Sequence, residues 1–222
     1  IVGTYFLYIH LIFLGICQLY GKRYLRNPTW SDLQQLYEAH IQKHGLPGMI
    51  GSIDCRQWRW YACPTAWRGQ HTRGDQKGPT LVLQAVASQD MWVWSAFFGL
   101  AGCMNDINTF QFSPLLESYI GGTIPKCGFY ANNNYYEHGY YLADGIYPEY
   151  SMLVKTFSQT QDEKRQYFKR VHESARKDVE RCFACLQARW HFVRNPCRIW
   201  EKERIRMVMY ACIIMHNMIL ED

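Results

Sequence analysis

Apolar positions recur along the chain at two spacings, and the helical spacing covers its longest segments. Residues 18–45 carry Leu33, Leu36, Ala39 and Ile41 behind the capping sequence Thr29-Trp30-Ser31-Asp32, which predicts one helix. The same criterion predicts helices over about 110–119, 161–190 and 203–220.

Short apolar runs at 49–55, 80–87, 91–98 and 140–143 predict strands. The link Ser88-Gln89-Asp90 is short enough to make the middle two runs a hairpin, and glycine- and proline-rich segments at 63–79, 99–108 and 121–139 predict loops. The order of strand, hairpin, helix, strand and helices predicts an α/β fold whose mixed sheet is flanked by helices.

The first seventeen residues are strongly apolar, but Gly3, His10 and Gly15 interrupt them. A run this short does not reach the ~20 residues of a membrane-spanning helix, so we expect a buried or misassigned segment and consider a membrane role unlikely. We predict two parts: an N-terminal apolar segment and helix over residues 1–45, and the main domain over residues 46–222.

The net charge and the cysteines of the chain indicate the kind of partner and the redox compartment to expect. The chain carries a formal charge of +5, and basic residues outnumber acidic ones between Lys164 and Arg206. This bias suits a polyanion, although a solvated helix surface gives the same pattern. Nine cysteines at irregular spacing, with one CxxC at Cys182 and Cys185, favour buried free thiols in a reducing compartment over zinc or disulfides.

Three carboxylates lie within or beside apolar segments, where an ionised acid is unusual. Asp54 lies within the apolar run Gly-Ser-Ile-Asp-Cys, Asp144 ends the strand at 140–143, and Glu180 adjoins the apolar stripe of the 161–190 helix. A buried charge is costly unless it is neutralised, and acids on separate rigid elements can hold the divalent ions of phosphodiester chemistry. For each acid alone, an ion pair or hydrogen bond is an equally ordinary explanation; Arg176 stands four residues before Glu180.

Basic and aromatic residues are interleaved after the first strand. The set comprises Arg56, Trp58, Arg59, Trp60, Trp67, Arg68, Arg73 and Lys77. It could hold phosphates and stack a base, but we expect the tryptophans to be packing residues. Arg176, Lys177 and Arg181 could likewise screen the acids and hold DNA, or be solvated. His216 is expected to be a core histidine.

Seven ordered segments resemble the plant branch of the Harbinger-type transposases. They are Gly-Ser-Ile-Asp-Cys-Arg-Gln-Trp (51–58), Cys-Pro-Thr-Ala-Trp-Arg-Gly-Gln (63–70), Gln-Ala-Val-Ala-Ser-Gln-Asp (84–90), Asn-Asp-Ile-Asn (105–108), Leu-Ala-Asp-Gly-Ile-Tyr-Pro (142–148), Ala-Arg-Lys-Asp-Val-Glu-Arg-Cys-Phe (175–183) and Ile-Met-His-Asn-Met-Ile (214–219). The resemblance runs from about Tyr20 to the last residue.

The resemblance implies a ribonuclease H-like fold and a catalytic Asp-Asp-Glu triad at Asp54, Asp144 and Glu180, which would bind two Mg²⁺ or Mn²⁺ ions. Thirty-five residues separate Asp144 from Glu180, a spacing typical of this superfamily. Asp106 matches a further acidic position and is either an auxiliary metal ligand or, as we favour, a turn-capping residue after Asn105. Asp178 competes with Glu180 for the third position.

The implied activity is DNA hydrolysis and strand transfer in the nucleus, with transposon ends and a T/A-rich target as substrates. A Myb-like DNA-binding partner protein is also implied, and homo-oligomerisation is left open. Family members carry an N-terminal DNA-binding region, which we expect to be absent from these 222 residues. Two alternatives stay open: a domesticated, non-cleaving DNA- or chromatin-binding scaffold, and a degenerate fragment that does not fold alone.

Overall fold

The computed structural model describes residues 2–157 and 161–222. Its helices are α1 (Val2–Tyr24), α2 (Trp30–His44), α3 (Arg68–His71), α4 (Asp106–Gln111), α5 (Pro114–Ile120), α6 (Glu163–Arg189), α7 (His191–Arg194) and α8 (Lys202–Glu221). Its strands are β1 (Met49–Arg59), β2 (Thr80–Ala87), β3 (Val93–Ala101), β4 (Phe129–Ala131), β5 (Asn134–Tyr136), β6 (Tyr140–Ala143) and β7 (Leu153–Lys155).

Five strands form one mixed sheet in the order β3-β2-β1-β6-β7. Strands β3, β2 and β1 run antiparallel to one another, whereas β6 lies parallel to β1 and β7 parallel to β6. Strands β4 and β5 form a separate hairpin. With helices on both sides, this arrangement confirms the predicted α/β fold of ribonuclease H-like type.

The two sides of the sheet have separate cores. Helices α6 and α8 cover one side, where Trp58, Leu83, Val179 and Ile205 belong to one buried cluster. Helices α2, α4 and α5 cover the other side, and their buried cluster includes Leu33, Ile53, Phe110, Leu115 and Tyr147. Every residue of β2 is buried, since the strand lies inside the sheet and both of its sides are covered.

The single helix predicted over residues 18–45 is wrong, because α1 ends at Tyr24 and α2 begins at Trp30. Pro28 offers no backbone N–H, and Thr29 forms a reciprocal capping box with Asp32 at the start of α2. The helix predicted at 110–119 is likewise two, and Ser113 caps the second by accepting a hydrogen bond from Leu115 N at 3.2 Å.

Several short elements escaped the sequence patterns. The predicted loop at 121–139 contains the β4–β5 hairpin, and the loop at 63–79 contains a 3₁₀ turn (Thr65–Trp67) followed by α3. Strand β7 has three residues, too few for an alternation to be visible.

Helix α1 packs on α8 with one face and exposes the other. The Asn217 amide donates to Tyr24 O at 2.6 Å, and Arg23 pairs with Glu221 at 3.0 Å. Tyr8, Leu11 and Ile12 are exposed and the other side chains described among residues 8–17 are partly exposed, so the expectation of a buried segment is wrong for this part of the chain. No helix in the described part of the chain is long and apolar enough to cross a membrane. The division at residue 45 stays a prediction.

Candidate active site

Strand β1 directs Asp54 toward helix α6. Two residues earlier, Ser52 Oγ accepts a hydrogen bond from Val179 N of α6 at 3.2 Å. Successive strand residues point to opposite sides, so Asp54 shares the side of Ser52, while Cys55 faces Tyr147 across the sheet at 3.6 Å. The buried Ser52 contact therefore fixes the position along α6 at which Glu180, the residue after Val179, meets the strand.

Asp144 directly follows β6, the strand beside β1. Ser52 pairs with Leu142 in the parallel ladder between β1 and β6. Strand β6 ends at Ala143, so Asp144 is the first residue after the strand and stands two residues beyond the Ser52–Leu142 pair. Asp144 is exposed, and its carbonyl accepts from Tyr147 N at 3.2 Å in the turn that follows β6.

Glu180 is held by an arginine of its own helix. Arg176 Nη2 lies 3.1 Å from Glu180 Oε1, as the i, i+4 spacing predicts. The Glu180 side chain keeps 45% of its accessible surface, and its neighbours Val179, Cys182, Phe183 and Leu186 form the buried stripe of α6. The prediction that Glu180 lies beside this stripe is confirmed.

Burial raises the pKa of Asp54 from 3.8 to about 6. A backbone hydrogen bond from Cys55 and the charge of Arg176 oppose this rise, while the negative charges of Asp106 and Glu180 add to it. Asp54 is thus a half-buried carboxyl group whose cationic neighbour does not compensate for its desolvation.

Asp106 belongs to the same acidic cluster from the other side of β1. The expectation that it caps a turn is wrong, because Asn105 caps α4 by accepting from Asn108 N at 2.8 Å. Burial raises the pKa of Asp106; Arg73 and a hydrogen bond with the Cys55 thiol counteract the rise, and the charge of Asp144 adds to it. Asp54, Asp106, Asp144 and Glu180 are therefore electrostatically coupled through these pairs.

Asp178, the competitor of Glu180, has a different environment. Its side chain is 1% exposed and contacts His44 at 2.8 Å, Lys43 at 3.3 Å and Arg181 of its own helix. These contacts tie α6 to the end of α2, so Arg181 serves a structural ion pair here and Asp178 points away from the cluster of acids.

Comparison with known proteins settles the family. A profile of the plant transposon protein family matches residues 22–222. The chain belongs to this family. The predicted relationship to plant transposases is thereby confirmed.

This plant transposon protein is also similar to a curated relative described as Protein ALP1-like from Arabidopsis thaliana. The two are 22% identical over 209 residues, which cover 90% of this chain and 50% of the relative. The chain therefore spans about half the length of that relative. No solved structure matches the chain.

The donor chemistry of the acidic cluster fits magnesium, which prefers carboxylate oxygens and retains several waters. Asp54 lies on β1 and Asp144 directly follows the neighbouring β6, and the raised pKa of Asp54 marks an anion without a sufficient counter-charge. Yet within residues 2–157 and 161–222 no three His, Cys, Asp or Glu side chains are grouped so that they could hold a metal ion. Glu180 is instead ion-paired with Arg176.

Other candidates of this plant transposon protein serve packing. Trp58 and Trp60 are buried, which confirms the packing interpretation, whereas Trp67 is 39% exposed. His216 is a buried core histidine, as predicted, with its ring nitrogens 2.9 Å from Met91 O and 2.8 Å from Arg189 Nη1.

Sequence patterns missed the support that Cys55 and Tyr147 give to the site. Burial raises the pKa of both groups, so the Cys55 thiol stays protonated and is no nucleophile. Their only signal in the sequence is position: Cys55 follows Asp54, and Tyr147 follows Asp144 by three residues.

Proposed function

We propose that this chain is the catalytic domain of a Mg²⁺-dependent DDE nuclease or transposase, with Asp54, Asp144 and Glu180 as its triad. The observation that carries the proposal is the convergence of three elements at one place: β1 and β6 lie in parallel register, and the Ser52–Val179 hydrogen bond brings α6 to the same level. Family membership agrees with it.

Asp54 and Asp144 would hold a divalent ion, and Glu180 would join them after exchanging Arg176 for the metal. Asp106 is the auxiliary acid, positioned behind Asp54. When bound, Mg²⁺ or Mn²⁺ supplies Lewis acidity toward a phosphoryl oxygen and lowers the pKa of an attacking water; a second ion would serve the leaving oxygen. Arg176, once released, is placed to neutralise a DNA phosphate at the same edge.

The substrates would be DNA ends and a T/A-rich target, attacked first by water and then by a DNA 3′-hydroxyl. Action in the nucleus, with a Myb-like DNA-binding partner protein, belongs to the same proposal. Homo-oligomerisation stays open. These expectations rest on the resemblance and on family membership.

A second candidate is a domesticated scaffold that binds DNA or chromatin without cleaving it. The observation that favours it is the Arg176–Glu180 ion pair at 3.1 Å, which gives the third acid a counter-charge without any metal. If the Arg176–Glu180 ion pair never opens, Glu180 binds no metal and the acids only stabilise a surface that binds DNA.

Calorimetric titration with Mn²⁺ separates the two candidates when it is paired with a plasmid-nicking assay. Wild-type chain should bind the ion and nick DNA; Asp144→Asn should lose binding, and Asp54→Ala should lose nicking while remaining folded. Asp75→Asn is the matched control, because Asp75 is an exposed carboxylate paired with Arg73 at 3.0 Å.

Retained nicking in Asp54→Ala would refute the triad, and DNA binding without nicking by wild type would support the scaffold. Limited proteolysis of each variant checks folding, and a resistant core would also exclude the degenerate fragment.

A further inference from the structure

A groove lies where the end of β1 meets the segment between α7 and α8. Two adjoining cavities, of about 720 and 430 Å³, share His191, Phe192, Arg198 and Ile199 as lining residues. Phe13, Trp190, Val208 and Met215 extend the apolar lining of the larger one, and Tyr61 closes the smaller one. We call this feature the aromatic groove.

Backbone hydrogen bonds hold the groove rigidly against the sheet. Cys197 N donates to Arg59 O at 2.8 Å, and Ala62 N donates to Cys197 O at 3.1 Å, which makes the segment a short parallel extension of β1. The Trp60 indole donates to Ile199 O at 2.8 Å from within the core. The rim residues beside these anchors are therefore held in place before any ligand binds.

The rim combines exposed rings with cations that lack acidic partners. Tyr61 and Trp200 are 66% and 68% exposed, and the Arg198 guanidinium lies 5.8 Å from the Tyr61 ring centroid. The nearby acid Glu201 pairs with Arg204 at 3.0 Å. Across the described ranges 2–157 and 161–222, no carboxylate forms an ion pair with Arg198 or with Arg194, which is exposed at the end of α7 and precedes the lining residue Asn195.

We propose that the aromatic groove binds unpaired nucleotides of a DNA strand, with bases on Tyr61 and Trp200 and phosphates on Arg194 and Arg198. Flat exposed rings accept any base by stacking, and arginines beside them neutralise the backbone. An apolar helix of a partner protein would use the groove floor but would leave these arginines without a counter-charge. The chain's net charge of +5 favours the polyanion.

The location suits a strand that also reaches the acids, so the proposal rests on the proposed nuclease function. Trp60 stands six residues beyond Asp54 on an extended strand, and Trp190 ten residues beyond Glu180 on a helix path. These separations are roughly 20 Å and 15 Å along the two elements. Duplex DNA, at about 3.4 Å per nucleotide, would cover this distance in some five nucleotides, and an extended single strand would cover it in fewer.

Fluorescence anisotropy with a labelled twelve-nucleotide oligothymidine, in EDTA, tests the groove without metal chemistry. The double variant Tyr61→Ala/Trp200→Ala should weaken binding at least roughly tenfold, since each lost stacking contact costs several-fold or more. Arg198→Gln should lower the slope of log affinity against log salt by about 0.7. Tryptophan fluorescence should be quenched on binding by wild type, and this quenching should be lost in the double variant.

Tyr130→Ala/Tyr135→Ala is the matched control, because these tyrosines are 71% and 60% exposed on the separate β4–β5 hairpin. Circular dichroism checks that all variants fold. Equal affinity of both double variants overturns the proposal, as does the failure of wild type to bind the oligonucleotide or a preference for duplex without tryptophan quenching.

The metal titration and this assay fail independently. If the wild-type chain binds oligothymidine but not Mn²⁺, the proposed nuclease function is refuted and the proposal for the aromatic groove stands. If it binds Mn²⁺ but not oligothymidine, only the proposal for the groove is refuted.

Discussion

Replacing Asp54 by Asn should stabilise the protein at neutral pH in the absence of metal. Asp54 lies half-buried between β1 and α6, where its ionised form is desolvated and faces the charges of Asp106 and Glu180. Asn has nearly the same shape and carries no charge. The substitution therefore removes an electrostatic cost while leaving the packing of the two elements unchanged.

The size and pH window follow from the pKa of Asp54, which rises from 3.8 to about 6 on folding. Because the folded state binds this proton more tightly, the stability it contributes at low pH is lost as the pH rises from about 4 to about 6. The rise corresponds to about 3 kcal/mol, an upper bound for a group that retains some solvent contact. Asp54→Asn should thus gain up to about 3 kcal/mol above pH 7 and little at pH 4.

Urea unfolding in EDTA at pH 4.0 and 7.5 measures the effect, with Asp75→Asn as a control expected to change stability by less than about 1 kcal/mol at either pH. Adding Mn²⁺ should raise the stability of wild type but not of Asp54→Asn, since a ligand stabilises only the state that binds it. An Asp54→Asn variant that is less stable than wild type at pH 7.5 would refute the reasoning. So would a gain that does not change with pH.

Four further substitutions test the contacts that α6 makes. Arg176→Gln frees Glu180 and should tighten Mn²⁺ binding several-fold by calorimetry; unchanged affinity would argue that Glu180 is no ligand. Ser52→Ala removes the buried acceptor of Val179 N and should cost about 1–2 kcal/mol in urea unfolding. Asp178→Asn should cost about 3 kcal/mol by breaking a buried ion-pair cluster, while Glu180→Gln should change thermal stability little.

The sequence predicts the helices and strands well where their apolar pattern is clear. It predicts them less well where a local backbone feature sets the end of an element. Strands β2 and β6 begin and end at the predicted residues, and α6 and α8 lie within about two residues of the prediction. The break between α1 and α2 is an opposite case. Apolar residues continue through it, and only Pro28 and the Thr29 capping box, which are local features, interrupt the backbone.

The candidate site divides in the same way. An acid within an apolar strand is costly, and an acid directly after one stands at a strand end, so both Asp54 and Asp144 are visible in the sequence. The relative placement of the acids depends on strand register and on the Ser52–Val179 contact between residues 127 positions apart. No pattern within a single segment encodes such a contact. The sequence favours Asp106 as the capping residue, whereas Asn105 caps α4, because either residue type can cap a helix.

Asp178 and Glu180 lie on the same helix but have different roles: Asp178 stabilises the packing of α6, and Glu180 is the proposed metal ligand. At about 100° per residue, two positions put them on nearly opposite sides of α6. Asp178 is almost fully buried and its charge is satisfied by His44, Lys43 and Arg181. Glu180 keeps nearly half its surface and has one exchangeable partner, Arg176. An acid in a buried ion-pair cluster must break those ion pairs before it can bind a metal. An acid with a surface ion pair can exchange its partner for a metal at a cost of about 1 kcal/mol or less. The difference in partners, more than the presence of either carboxylate, is what favours Glu180 as the third acid.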